Sequence, residues 1–177
     1  MTQELTDLRN SIIQGRYADA LAIVDELEGM SKQAILRNIQ SYVNILLIHL
    51  IKNQIEQRLT ASWVSSIRNS IREVKKLNIK AHKKSYYINQ DEWENLIQEE
   101  VMEDAIADAS LEVMNGKYSQ FQLGEIIDRN KLIDNALQFL ALTYTYSAKE
   151  LPAIVTEKLG QLPGGEDWKA GTGNQRG

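Results

Sequence analysis

The chain contains no cysteine. That excludes a disulfide framework, a thiolate zinc site, an iron–sulfur cluster and a cysteine nucleophile. Two histidines, His49 and His82, are too few for a three-histidine catalytic metal centre. Long apolar runs are also missing. The longest, Ile45-Leu46-Leu47-Ile48-His49-Leu50-Ile51, falls far short of the roughly 20 residues a membrane span needs, so no membrane association is expected. The opening residues, MTQELTDLRN, hold no apolar block of the secretory kind, and the expected setting is the cytoplasm. Net charge is −4 and the isoelectric point is near 5.3, which argues against generalised nucleic-acid binding but leaves room for a local basic patch.

Proline and glycine are scarce over most of the 177 residues and then crowd together. Residues 1–159 hold only Gly15, Gly29, Gly116, Gly124 and Pro152, so this part is built from long elements. Residues 160–177 hold six glycines and Pro163, and read as a flexible, linker-like tail on a single helical domain spanning 1–159. Gly15 and Gly29 read as helix C-caps, since glycine enters the left-handed region without a Cβ penalty. One helix is expected to end at Gly15 and a second, from Tyr17, at Gly29. Ser31 then caps a third, from Lys32 to about Arg58, whose Ile35, Ile39, Tyr42, Val43, Leu46 and Leu50 recur at near-helical spacing.

Thr60 or Ser62 can cap the next helix, where Trp63, Val64, Ile67, Ile71, Val74 and Leu77 form a regular stripe ending near Asn78. Residues 79–90 have no such stripe and predict a connection, with a short extended piece at Tyr86-Tyr87-Ile88. Asp91-x-x-Glu94 reads as a capping box for a helix ending at Asn115-Gly116. A final apolar-periodic segment runs through Leu123 to Ala141, and a last short helix follows Pro152. No stretch alternates with period two. The reading is all-α, a bundle of five to seven helices.

Within this pattern the blocks Asp25-Glu26-Leu27-Glu28-Gly29-Met30-Ser31-Lys32 and Leu46-Leu47-Ile48-His49-Leu50-Ile51-Lys52-Asn53-Gln54 stand out. Arg58, Ser62-Trp63, Ser66-Ile67-Arg68 and Glu103-Asp104-Ala105 follow them. Over roughly residues 1–115 the chain resembles a largely cyanobacterial family, the domain of unknown function numbered twenty-nine. Ile55-Glu56 stands where that family usually has proline-glutamate, and the family's aromatic N-terminal segment is missing. The resemblance implies an all-helical fold and a cyanobacterial cytoplasm, and it implies no activity.

Three groups of residues could carry chemistry. His49 sits in the apolar face of the long helix, with Lys52, Asn53 and Glu56 one to two turns on. It reads either as an acid–base or phosphate-binding group beside Lys52, or as a core histidine bonded toward Ser62 and Ser66 on the next helix. From Lys52 to Lys84 nine cations face only Glu56 and Glu73, among them Arg58, Lys80 and Lys83. Arg68, Arg72, Lys75 and Lys76 share one side of their helix and could grip an acidic protein or, less in keeping with the net charge, a nucleic-acid backbone. The plainer expectation is a solvated face that pairs with the acidic helix that follows.

That helix carries nine acids and no base over residues 91–112. Glu99/Glu103, Glu100/Asp104 and Asp104/Asp108 are like-charge pairs four apart, unfavourable unless something offsets them. Glu99, Glu100 and Glu103, followed 21 residues later by Glu125 and Asp128, are similar to the acidic signature of the all-α nucleotide pyrophosphatases. That resemblance implies a Mg²⁺ site activating water against a triphosphate. Trp168, isolated in the glycine-rich tail, is expected to dock into a partner or the protein's own bundle, or to lie exposed. Of the alternatives, a non-enzymatic module without a cofactor, binding another protein or a second copy of itself, accounts for every group. The metal-dependent hydrolase and the weak nucleic-acid binder stand behind it.

Overall fold

A computed structural model describes residues 2–80 and 84–172. The chain is all-helical, 79% helix, with eight helices and no strand among the described residues. They are α1 (Thr2–Ile13), α2 (Tyr17–Glu56), α3 (Ala61–Asn78), α4, α5 (Gln120–Ile126), α6 (Arg129–Thr145), α7 (Leu151–Leu159) and α8 (Gly165–Lys169). The acidic helix α4 is composite: Trp93–Leu96, a π-helical stretch Ile97–Val101, and Met102–Ser110.

The chain divides into two units, Met1–Asn38 and Ile39–Gly177, with the boundary inside α2. The smaller unit is α1 and the first part of α2. Gly15 makes the turn between them in the left-handed region, at φ 70°, as the expected C-cap requires. Gly29 does not cap anything. It is helical and α2 runs straight through it, so the second and third expected helices are one. A glycine inside a helix costs only about 1 kcal/mol, and the good helix formers on both sides outweigh that.

The larger unit holds the core. Ile39, Val43, Leu46, Leu47, Leu50 and Ile51 of α2 are all buried, with Trp63, Val64, Ile67, Ile71 and Val74 of α3. By length and composition α2 qualifies as a membrane-crossing helix, and a third of its apolar window is buried in the fold. Thr60 caps α3, its hydroxyl accepting the Trp63 N–H at 3.2 Å. The extended piece after α3 takes the form of an isolated antiparallel bridge between Ile79 and Tyr86. The capping box lies two residues earlier than expected, Asn89 with Glu92, and a 3₁₀ turn leads into α4.

The helix count exceeds the expected five to seven for two reasons. The Asp128 carboxylate accepts the Lys131 N–H and caps α6, splitting the final apolar segment in two. The glycine-rich segment also contributes α8. Within residues 160–172 the Pro163 carbonyl accepts the Asn53 side-chain N–H at 2.8 Å. Gly164 sits at φ +74°, where an added Cβ would come 2.6 Å from the Arg58 Cα. Only a residue without a Cβ allows that approach.

Candidate functional site

The end of α2, the loop that follows it and the start of α3 gather Lys52, Arg58 and Trp63. The Lys52 ammonium and the Arg58 guanidinium each lie 4.8 Å from the centre of the buried Trp63 ring, within cation–π range. Each cation is also paired. Lys52 lies 2.6 Å from Glu112, just beyond α4, and Arg58 lies 3.0 Å from Glu56. Arg58 is positioned by Asn53, whose side chain donates to its carbonyl at 3.0 Å, and by Gln57, which turns the chain at φ 52°.

Across from these residues, Leu111, Met114 and Asn115 complete an open groove. Met114 and Asn115 lie in the left-handed region, at φ 49° and 58°, and Gly116 follows at 76°. The Met114 N–H donates to Glu56 at 3.4 Å, tying this backbone to the Arg58 side. Asn-Gly is a left-handed turn signal, but the sequence alone reads Asn115-Gly116 as a helix end. Glu56 stands in the sequence as a neighbour of His49 and Glu112 as one of nine acids; the folded chain pairs Glu56 with Arg58 and brings Glu112 to Lys52.

His49 lies one turn before Lys52 and does not reach Ser62 or Ser66. Its Nδ1 donates to the Ile45 carbonyl of its own helix at 2.8 Å, the only direction a proton can take toward a carbonyl. Burial holds its pKa below the ordinary histidine value, helped by Lys52 and opposed by the Ile45 carbonyl and Glu112. A neutral imidazole bonded to a carbonyl of its own helix, with no nucleophile bonded to it among the described residues, does not make a catalytic pair.

The basic side of α3 lies elsewhere. Arg68, Arg72, Lys75 and Lys76 rim a cavity floored by Ile71 of α3 and by Leu151, Pro152 and Val155 of α7. They do not pair with the acidic helix, as the plainer expectation had it. Lys75 donates to the Thr143 carbonyl at the end of α6 at 2.7 Å, while Arg72 and Lys76 share Glu73 on their own helix. The Arg68 side chain makes no hydrogen bond or ion pair among the described residues. On its other side, Arg68 and Arg72 border a second depression that the half-buried Trp168 also lines. His82 and Lys83 lie outside the described residues.

The acids of α4 find other partners. Glu100 accepts from Gln40 and Asp108 from Asn44 at 2.9 Å, both on α2, and Glu103 pairs with Arg129 of α6 at 2.6 Å. The π turn also alters the spacing, because residues five apart, not four, are bonded there. Glu99/Glu103 and Glu100/Asp104 therefore do not stack as they would on a regular helix. Glu125 belongs to α5, whereas Asp128 caps α6. The five carboxylates of the metal-site reading do not converge: among the described residues no group of three His, Asp or Glu side chains is placed to hold a metal.

The family described as domain of unknown function DUF29 matches residues 2–136. The chain belongs to that family. The match runs about 20 residues beyond the stretch read from the sequence and ends within α6. It covers every residue of the Trp63 groove, but the α7 floor of the basic cavity and Trp168 fall outside it. No curated protein and no solved structure matches the chain.

Proposed function

We propose that this protein is a non-enzymatic protein-interaction module of the cytoplasm that needs no cofactor, and that it takes an acidic, amphipathic segment of another protein on the α3–α7 cavity. The observation that carries this reading is the pairing of an apolar floor with a cationic rim. Pro152 and Ala148, exposed beside the buried Ile71, Leu151 and Val155, provide a small apolar surface for an aliphatic or aromatic anchor. Arg68, Arg72, Lys75 and Lys76 surround it, and among the described residues Glu73 is the one carboxylate paired with them. A ligand that satisfies both must bury an apolar stripe and carry acids on its margins, as an amphipathic helix in a groove does. Burial of the anchors supplies affinity, and the rim steers encounter and sets salt dependence.

The groove around Trp63 supports no chemistry of its own, since each of its cations already faces a carboxylate. It serves to hold the α2–α3 loop in place beside the cavity-bearing helix.

The test is a titration, followed by NMR or fluorescence anisotropy, with a designed acidic peptide bearing Leu and Phe at helical spacing. A 15-nucleotide single-stranded RNA serves as a competitor of like charge but without those anchors. The expected result is saturable peptide binding that weakens with salt and falls at least about tenfold in Arg68→Glu/Arg72→Glu, one decade being about 1.4 kcal/mol. Binding of the RNA in preference to the peptide would replace this reading with the nucleic-acid one. Binding of neither at low salt would remove both.

A further inference from the structure

Arg68 and Arg72 form a ridge with a depression on either side. One is the apolar-floored cavity between α3 and α7. The other lies along the first half of α3, where Ser65, Arg68, Asn69 and Arg72 follow helical spacing and so share one face. Trp168 of α8, half-buried, lines it as well.

This second depression is rich in donors that nothing satisfies. The Ser65 hydroxyl, the Arg68 guanidinium and the Trp168 indole N–H make no hydrogen bond among the described residues. Asn69 accepts from Arg72 at 2.6 Å through Oδ1, which fixes that guanidinium and leaves the Asn69 amide N–H groups unbonded. No carboxylate is among the described residues that line it. Glu73 reaches Arg72 only at 3.7 Å. Glu166 and Asp167, beside Trp168, are exposed and make no ion pair with either arginine.

Two guanidinium groups one helical turn apart, among neutral donors, are complementary to a compact anion with many acceptor oxygens. A carboxylate brings two oxygens and one charge, which a single guanidinium satisfies. A phosphomonoester brings three oxygens and close to two charges, enough to bridge both arginines and accept from the neutral donors beside them.

We propose that the segment taken by the α3–α7 cavity is a phosphorylated one, whose phosphomonoester seats in the depression lined by Ser65, Arg68, Asn69, Arg72 and Trp168. The inference rests on the cavity reading above. Both arginines border both depressions, so a segment anchored in the cavity carries its margin across the ridge to the donors on the other side.

The test is binding of the acidic peptide to the full chain by fluorescence anisotropy, with each margin Glu in turn replaced by phosphoserine or phosphotyrosine. The readout is the ratio of phosphopeptide to Glu-peptide affinity, which a general loss of stability does not move. A ratio of at least about ten is expected at one position, and the ester giving the higher ratio identifies the modified residue. Ser65→Glu puts a carboxylate into the depression at an exposed position and should bring the ratio to about one, with helicity by circular dichroism as control. Arg68→Lys/Arg72→Lys keeps the charge but loses the planar fork, and should lower the ratio at least about threefold. AMP, which carries the same ester without the apolar anchors, should bind at least about tenfold more weakly than the phosphopeptide. A ratio near one at every position, with the Glu peptide bound, overturns this inference and leaves the cavity reading standing. A ratio that survives Ser65→Glu also overturns it, as does AMP binding as tightly as the phosphopeptide. Binding of no peptide at low salt removes both.

Discussion

Lys52 and Glu112 are sixty residues apart in sequence and 2.6 Å apart in space, and they differ in surroundings: the lysine side chain is 11% exposed and the carboxylate 55%. The pair is therefore half in solvent, and its attraction is screened on one side. Glu112→Gln leaves the more buried charge to Trp63 and water. The expected cost is about 1 kcal/mol. A double-mutant cycle with Lys52→Met, read from urea midpoints, should return a coupling of similar size, smaller at high salt.

His49 sets a pH dependence of known sign. Burial holds its folded pKa below the ordinary value of about 6.5, which it regains on unfolding. The unfolded chain thus binds the proton more readily. The contribution to stability is complete above about pH 6.5 and is lost as pH falls through the lower, folded value. Melting midpoints measured from about pH 8 down to pH 5 should fall, and His49→Gln should flatten the decline below pH 6.5. An unchanged slope in that variant would assign the loss to carboxylates instead.

Tyr144 joins four segments through one hydroxyl. It accepts from the Trp93 indole at 2.6 Å and from Asn78 at 3.0 Å, and it donates to the Ile88 carbonyl at 2.6 Å. Burial first of all pushes its pKa up to about 12, so the proton stays in place for donation. Tyr144→Phe strips the partner from a buried indole N–H, while the Ile88 carbonyl keeps the Asn78 side-chain N–H at 2.9 Å. The expected loss is about 1–3 kcal/mol, seen as a drop of several degrees in Tm. Exchange of the Ile88 amide, which is bonded to the Asn78 side chain at 2.7 Å, should speed up with it.

Gly29 and Gly164 should respond to alanine in opposite directions. Gly29 is helical with open space around it, so Gly29→Ala is expected to stabilise α2 by about 1 kcal/mol. A C-cap glycine would have done the reverse. Gly164 has a left-handed backbone and no room before the Arg58 main chain. Gly164→Ala should destabilise by about 2 kcal/mol or more. Chemical denaturation of the two variants side by side distinguishes the two backbone states.

Much of the larger unit is legible because its helices carry their own periodicity. The α3 stripe from Trp63 to Val74, the Thr60 cap and the end at Asn78 are all local properties. The same local logic misplaced Gly29, because a glycine with a serine two residues on is compatible with both a cap and an uninterrupted helix. Which of them occurs depends on the helical residues on either side.

The candidate sites were only half visible for the same reason. Lys52, Arg58 and Trp63 lie within twelve residues of each other, and their gathering follows from a short loop. Glu112, Met114 and Asn115 reach them from sixty residues away, so only the folded chain decides that the cations are neutralised. Sequence charge alone set the basic helix against the acidic one. Packing places Arg68 and Lys75 beside α7 instead, and leaves the acids of α4 to Gln40, Asn44 and Arg129. The sequence by itself determined an all-α chain and its family, since helical periodicity and motif spacing are written along the backbone. The tertiary structure decided which charges meet, because an ion pair depends on distances between side chains that no local pattern encodes.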